Sequence, residues 1–149
     1  MEIERKFIPL TVPVPLEDCP YHEIEQAYLS TDPVIRIRKE DESFYLTYKS
    51  GGVLAHEEYN LPLTEASYRK LLAKCDGRIL TKRRYLIPLG VYTVELDVFR
   101  APFETLRIAE VEFPSVNEAN AFQKPDWFGE EVTYDPHYRN AYLALNTEL

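Results

Sequence analysis

Like charges recur two residues apart along short stretches of the chain: Glu2 and Glu4, Arg36 and Arg38, Lys82 and Arg84, Glu95 and Asp97, Glu110 and Glu112. Carboxylate oxygens are natural ligands for hard cations such as Mg²⁺. Guanidinium forks and ammonium groups grip phosphate oxygens. Acidic and basic pairs in one chain therefore suit a site that holds metal at one wall and a polyanion at another. Successive strand residues point to opposite faces, so each pair shares one side, about 7 Å apart. One such strand alone is better read as an ordinary half-solvated strand. The recurrence is the signal.

Strands must position these pairs. Period-two alternation broken by turn residues predicts them over Glu2–Phe7, Tyr21–Leu29, Val34–Lys39, Ser43–Ser50, Leu54–Leu63, Arg78–Pro88, Tyr92–Arg100 and Arg107–Phe113. Lys6 extends the first acidic pair, Thr47 and Lys49 share a face, and so do His56, Glu58 and Asn60. The opposite faces carry Ile3 and Phe7, Ile35 and Ile37, Val94, Leu96 and Val98, then Val111 and Phe113. Gly51-Gly52 signals a hairpin. The prolines of Pro9–Asp18 predict an extended loop. Thr64 can cap a helix over Glu65–Cys75, with Gly77 just beyond it. Further helices are expected over Val116–Gln123 and Pro136–Leu145, with a loop over Lys124–Thr133 between them.

These elements make a mainly β chain of the α+β class, an antiparallel barrel or sandwich in a single domain over residues 1–149. The alternation leaves open whether the charged faces point into a barrel or out of it. If inward, the apolar faces lie outside and need covering by helices or a partner.

The length suits one ordinary core, and 45% hydrophobic with 28% charged residues marks a folded chain rather than a disordered one. A net charge of -8 argues against nucleic acid or an anionic membrane as partner. Met1 to Phe7 is charged from its second residue, unlike a secretion signal, and no apolar run is long enough to cross a bilayer. Cys19 and Cys75 have no metal or CxxC spacing. A cytoplasmic protein with reduced thiols is expected.

Glu2-Ile3-Glu4-Arg5-Lys6 resembles the ExExK signature of the CYTH family, the triphosphate tunnel metalloenzymes. The resemblance continues in order through Gln26 and Tyr28, Arg36-Ile37-Arg38, Lys49, Glu58, Lys82-Arg83-Arg84, Glu95-Leu96-Asp97 and Glu110-Val111-Glu112. Trp127 to Thr133, with Tyr138-Arg139-Asn140, is similar to the C-terminal end of short bacterial members. It implies an eight-stranded antiparallel tunnel with charged faces inward, hydrolysing a triphosphate-containing small molecule. By that resemblance Lys6, Arg36, Arg38, Lys49, Lys82 and Arg84 would bind substrate. Glu2, Glu4, Asp97, Glu110 and Glu112 would hold Mg²⁺ or Mn²⁺, and Lys6, Tyr28 and Glu58 would serve catalysis. The segment around Tyr138-Arg139-Asn140 resembles a plug at one tunnel end.

Inorganic triphosphate is the leading substrate on this reading. Thiamine or nucleoside triphosphate hydrolysis and class IV adenylate cyclase activity are the rival chemistries. The cyclase lacks support because no extra segment stands ready for an adenosine. A non-catalytic polyphosphate-binding module is the rival of another class, although an anion sink has little use for so many carboxylates. A homodimer is left open. On the fifth strand, where relatives often carry arginine and glutamates beside the equivalent of Glu58, this chain has His56 and Asn60. His56 reads as a substituted wall residue rather than a metal ligand, since no second histidine shares its spacing. His22 and His137 show no partners in the sequence and read as surface or packing residues. Trp127 and Phe128 read as an anchor for the C-terminal loop.

Overall fold

The computed structural model describes residues 1–146. Nine strands form in chain order: β1 (Glu2–Pro9), β2 (Tyr21–Thr31), β3 (Val34–Glu40), β4 (Ser43–Gly51), β5 (Ala55–Pro62), β6 (Asp76–Leu89), β7 (Tyr92–Phe99), β8 (Arg107–Glu112) and β9 (Phe128–Glu131). Their helices are α1 (Glu65–Leu72), α2 (Val116–Ala121) and α3 (Asn140–Leu145). The sheet runs β5-β4-β3-β2-β6-β7-β8-β1, and β1 pairs back onto β5 through Glu2↔His56 and Ile3↔Ala55. Eight antiparallel strands thus close a barrel, which removes most of the exposed sheet edge. The ninth, β9, adds to the far half of β1 at Phe7↔Glu131 and Pro9↔Phe128.

That ninth strand corrects the loop expected over Lys124–Thr133. Four residues give too little alternation to read, and the pairing depends on a close approach. A Cβ on Gly129 would sit 2.7 Å from the Ile8 carbonyl oxygen, so only glycine fits there. Phe128 is buried and packs edge-on to Trp127, with ring centroids 4.6 Å apart. The expected third helix is also broken. Pro136–Tyr138 makes one 3-10 turn, whose first turn is held by the Asp135 carboxylate accepting from the His137 amide at 3.0 Å. Arg139 is extended, and α3 starts only after it. The first helix stops at Leu72, three residues earlier than its expected end at Cys75; Thr64 does cap it, accepting from the Ser67 amide at 3.1 Å.

The charged faces point inward. The outward apolar faces are covered in two patches. Ile3, Phe7, Leu96, Val94 and Val111 lie under Ala119 of α2, Phe128 of β9 and Val12 and Leu16 of the proline-rich loop. Ala27 and Ile37 lie under Tyr68, Leu71 and Leu72 of α1. A third apolar cluster fills one end of the barrel, where Leu143 and Ala144 of α3 meet the inward residues Tyr28, Leu80, Phe99 and Ile108. Helix α3 lies so close that a Cβ on Gly77, which has φ +70°, would stand 2.2 Å from the Ala144 carbonyl oxygen. Arg78 donates to the Leu143 carbonyl at 3.2 Å, a cation at a helix C-terminus.

Candidate functional site

What remains of the barrel interior is a cavity of about 540 Å³ with walls of opposite charge. Every residue expected to bind substrate lines it: Lys6, Arg36, Arg38, Lys49, Lys82 and Arg84. So do Tyr28, Glu58 and four of the expected metal-binding carboxylates, Glu2, Glu4, Glu110 and Glu112. Asp97 does not reach it.

The acidic wall comes from β1 and β8, where Glu4 stands opposite Glu112 and Lys6 opposite Glu110, and from Glu95, which pairs with Glu110 across β7. Burial and the neighbouring Glu4 push Glu110 up to about 8. Burial together with like charges also raises Glu95 and Glu112. Although burial opposes it, the carboxylates of Glu4 and Glu110 hold Lys6 above its ordinary range, so its ammonium is charged. Further round, burial and Glu2 push Glu58 up to about 7, while hydrogen bonds from His56 and Glu58 outweigh burial and hold Glu2 far below the carboxylate range. Oxygen donors crowded beyond their available counter-charge are the donor set a hard divalent cation takes up. The wall fits Mg²⁺ or Mn²⁺.

The basic wall is arranged differently. Arg38 donates through Nε and Nη2 to Gln26 Oε1 at 2.9 and 2.5 Å, and through Nη1 to Tyr45 at 3.3 Å. Burial, with Arg36 and Arg84 nearby, lowers its pKa. Lys82 Nζ lies 2.6 Å from Asp97 and donates to Asn140 Oδ1 at 2.8 Å. Arg84 grips Asp97 with two hydrogen bonds of 2.8 and 3.0 Å and reaches Glu95 at 3.0 Å. Asp97 is 2% exposed, and Arg84 and Lys82 overcome its burial to hold it well below the carboxylate range. Its oxygens are taken up by these two cations, so its position is that of their anchor. Arg36 is 6% exposed and donates through Nη2 to Thr47 at 3.0 Å, yet its Nε is buried with no partner among the described residues. An unpaired buried guanidinium N–H is costly, and the Arg36 side chain that carries it lines a cavity of anion-binding size.

Sequence reasoning missed Glu40, Tyr45 and Thr133. Glu40 and Tyr45 join the cavity wall as Tyr45 donates to Glu40 at 3.2 Å. Glu40 shares the parity of Arg38 and was hidden by ending the third strand at Lys39, whereas Tyr45 shares the parity of Thr47 and Lys49 within the expected strand Ser43–Ser50 but has no charge to mark it. Thr133 lines the cavity and its hydroxyl accepts from the Lys6 amide at 2.9 Å and donates to Glu131 at 2.6 Å. Nothing in the local pattern marks it. Arg139 and Asn140, in the segment expected to plug the tunnel, do close one end of the cavity. Asn140 Oδ1 also accepts from Gln26 Nε2 at 3.1 Å, tying α3 to the basic wall. His22 and His137 sit on the surface beside Asp41 and Asp135, at 2.6 and 2.8 Å.

The CYTH domain family matches this chain over residues 1–138. The chain belongs to the CYTH family. An inorganic triphosphatase from Nitrosomonas europaea is 40% identical over 152 residues, covering 97% of each chain. One from Acetivibrio thermocellus is 38% identical, covering 80% of this chain and 76% of its own. The crystal structure of an inorganic triphosphatase superposes with a TM-score of 0.73 at 36% identity, covering 100% of this chain and 97% of that one. A Pyrococcus horikoshii protein, 19% identical with a TM-score of 0.64 over 98% of this CYTH chain and 100% of its own, shares the fold. No helix among the described residues is long and apolar enough to cross a membrane.

Proposed function

We propose that this CYTH protein hydrolyses inorganic triphosphate to pyrophosphate and phosphate, with Mg²⁺ or Mn²⁺ held by Glu2, Glu4, Glu110 and Glu112. The observation that carries the reading is the unpartnered Arg36 Nε, buried in a cavity whose other wall is carboxylate. An N–H with nothing to bond, flanked by Arg38, awaits an anionic oxygen. The relatives named as inorganic triphosphatases support triphosphate as that anion.

Arg36, Arg38 and Arg84 bind the phosphate oxygens, and Asp97 and Gln26 fix the forks before substrate arrives. Preorganised donors cost no rearrangement as charge develops on the transferred phosphoryl group. A divalent cation, when bound, offsets the remaining charge on phosphate oxygens. Lys6 lies 3.8 Å from Glu4 and, being charged, can meet an oxygen at the boundary between the walls. Tyr28 accepts from Gln26 Nε2 at 3.1 Å, which leaves its hydroxyl proton free to orient water or a phosphate oxygen. Burial and Glu2 raise Glu58 to about 7, and positive charge entering the site favours release of its proton. The closed end at Asn140 and Arg139 helps exclude bulk water.

Phosphate release from triphosphate, pyrophosphate and ATP, each with Mg²⁺, with Mn²⁺ and with excess chelator, tests the proposal. Turnover of triphosphate that stops in chelator is the expected result. Full activity in chelator overturns the cation, and absence of release from every substrate overturns the hydrolase.

A further inference from the structure

His56 stands where the barrel closes. It pairs with Glu2 across the β1–β5 seam, and Glu58 follows two residues later on the same inward face. Ligating atoms of Glu2, His56 and Glu58 all lie within 4.8 Å of one another, the sole such group of three among the described residues. The ring is also set for ligation. Nδ1 is 3.3 Å from the Gly52 carbonyl oxygen, and Nε2 makes a very short contact with Glu2 Oε1. With Nδ1 turned to Gly52, Nε2 points at Glu2 Oε1, and a contact this close needs a proton or a cation between the two atoms. A divalent cation can take the place of that proton. A backbone carbonyl fixing one ring nitrogen while the other binds is the usual outer support of a metal-bound histidine. Lys49 Nζ, 2.9 Å from the same Glu2 oxygen, shows that the position already draws positive charge.

We propose that His56 is a nitrogen ligand which, with Glu2 and Glu58, makes this site select a first-row transition cation such as Mn²⁺ over Mg²⁺. The inference rests on the reading of the acidic wall as a cation site and adds an identity to it. Magnesium keeps to oxygen ligands and octahedral hydration, whereas imidazole favours transition ions. An all-carboxylate wall would make little distinction on this ground; one imidazole would.

Pulsed electron paramagnetic resonance of the full chain with less than one equivalent of Mn²⁺ reads this directly. A ¹⁴N hyperfine coupling is expected in the wild type, kept in the His22→Gln/His137→Gln double variant and lost in His56→Gln. In competition, the Mg²⁺ needed to displace Mn²⁺ should fall about tenfold in His56→Gln. Because the wild-type spectrum needs no substitution, a misfolded His56→Gln would not shield the idea. Bound Mn²⁺ with no nitrogen coupling, or a coupling that survives His56→Gln, overturns the role of His56 and leaves the carboxylate wall standing. No Mn²⁺ binding at all overturns the wall as well.

Discussion

The two charged walls face each other across one cavity, yet their charges are treated in opposite ways. On the basic wall the cations have hydrogen-bonding partners in place, Asp97 for Lys82 and Arg84, Gln26 for Arg38 and Thr47 for Arg36, and among the described residues only Arg36 Nε is left over. On the acidic wall Glu110, Glu95 and Glu112 crowd one another and their protons are held more tightly than usual. One wall is prepared by its own hydrogen bonds. The other carries carboxylates that raise one another's pKa values. Orientation is what phosphate recognition needs, because forked donors work only in the right geometry. Charge density is what cation recognition needs, and self-repulsion is its cost.

The largest separation of the two walls should come from removing one carboxylate on each. Glu4→Gln takes a charge from the acidic wall, so triphosphate turnover should fall by about 100-fold or more while the melting temperature holds or rises. Asp97→Asn takes the anchor from the prepared wall. It leaves Lys82 buried without its counter-charge and Arg84 with Glu95 as its nearest carboxylate, and the loss of stability should be about 3–5 kcal/mol. Parallel thermal melts and phosphate-release assays check both. If Asp97→Asn kept its stability and lost activity only, the anchor role would be wrong and Asp97 would rejoin the metal-binding residues.

A smaller effect is expected from pH. Glu110 and Glu58 have folded-state values of about 8 and about 7, above those of an unfolded glutamate. Between roughly pH 4.5 and these values the folded state therefore holds more protons than the unfolded one. Stability in the absence of cation should accordingly fall as pH rises from 5 to 7. Cation binding must expel the same protons, so affinity for Mn²⁺ should rise over that interval and added Mn²⁺ should flatten the stability profile. Denaturant titrations at several pH values, with and without Mn²⁺, measure both trends. A stability that climbs steadily with pH in the absence of cation would contradict the crowding of the acidic wall.

The strands and their inward residues were legible in the sequence because a barrel wall obeys a strict two-residue period. Arg36, Arg38, Lys82, Arg84, Glu110 and Glu112 declared themselves by parity alone. Which side of the barrel they faced was not legible, since alternation is symmetric between inside and outside. That choice is made by α1, α2 and the proline-rich loop, which cover the apolar exterior. Parity also says which residues face the lumen without saying which touch. Asp97 shares its side with Glu95, yet it lies opposite Arg84 in the β6–β7 register, and that long-range pairing turns an expected ligand into an anchor. His56 is a similar case. Its meaning depends on the short β1–β5 closure, a contact between residues 54 positions apart.

The smallest expected effect concerns Arg38→Ala and tests how deeply the prepared wall is built into the fold. Arg38 lies between Arg36 and Arg84, both of which with burial depress its pKa, and no carboxylate is closer than Glu40 at 3.8 Å. Repulsion and desolvation thus weigh against it. Its two hydrogen bonds to Gln26 Oε1 weigh in favour, and their loss leaves a buried amide oxygen with no donor among the described residues. Water entering the vacated space of a cavity already lined by polar groups can satisfy that oxygen. The two contributions are of similar size, so the stability without ligand should stay within about 1 kcal/mol of wild type. The stabilisation gained from triphosphate with Mg²⁺ should shrink, because the fork that would hold phosphate is gone. Melts of both proteins with and without ligand decide the matter. A marked loss of unliganded stability in Arg38→Ala would make Arg38 part of the barrel's structural lattice and erase the distinction between a wall prepared for substrate and one prepared for folding.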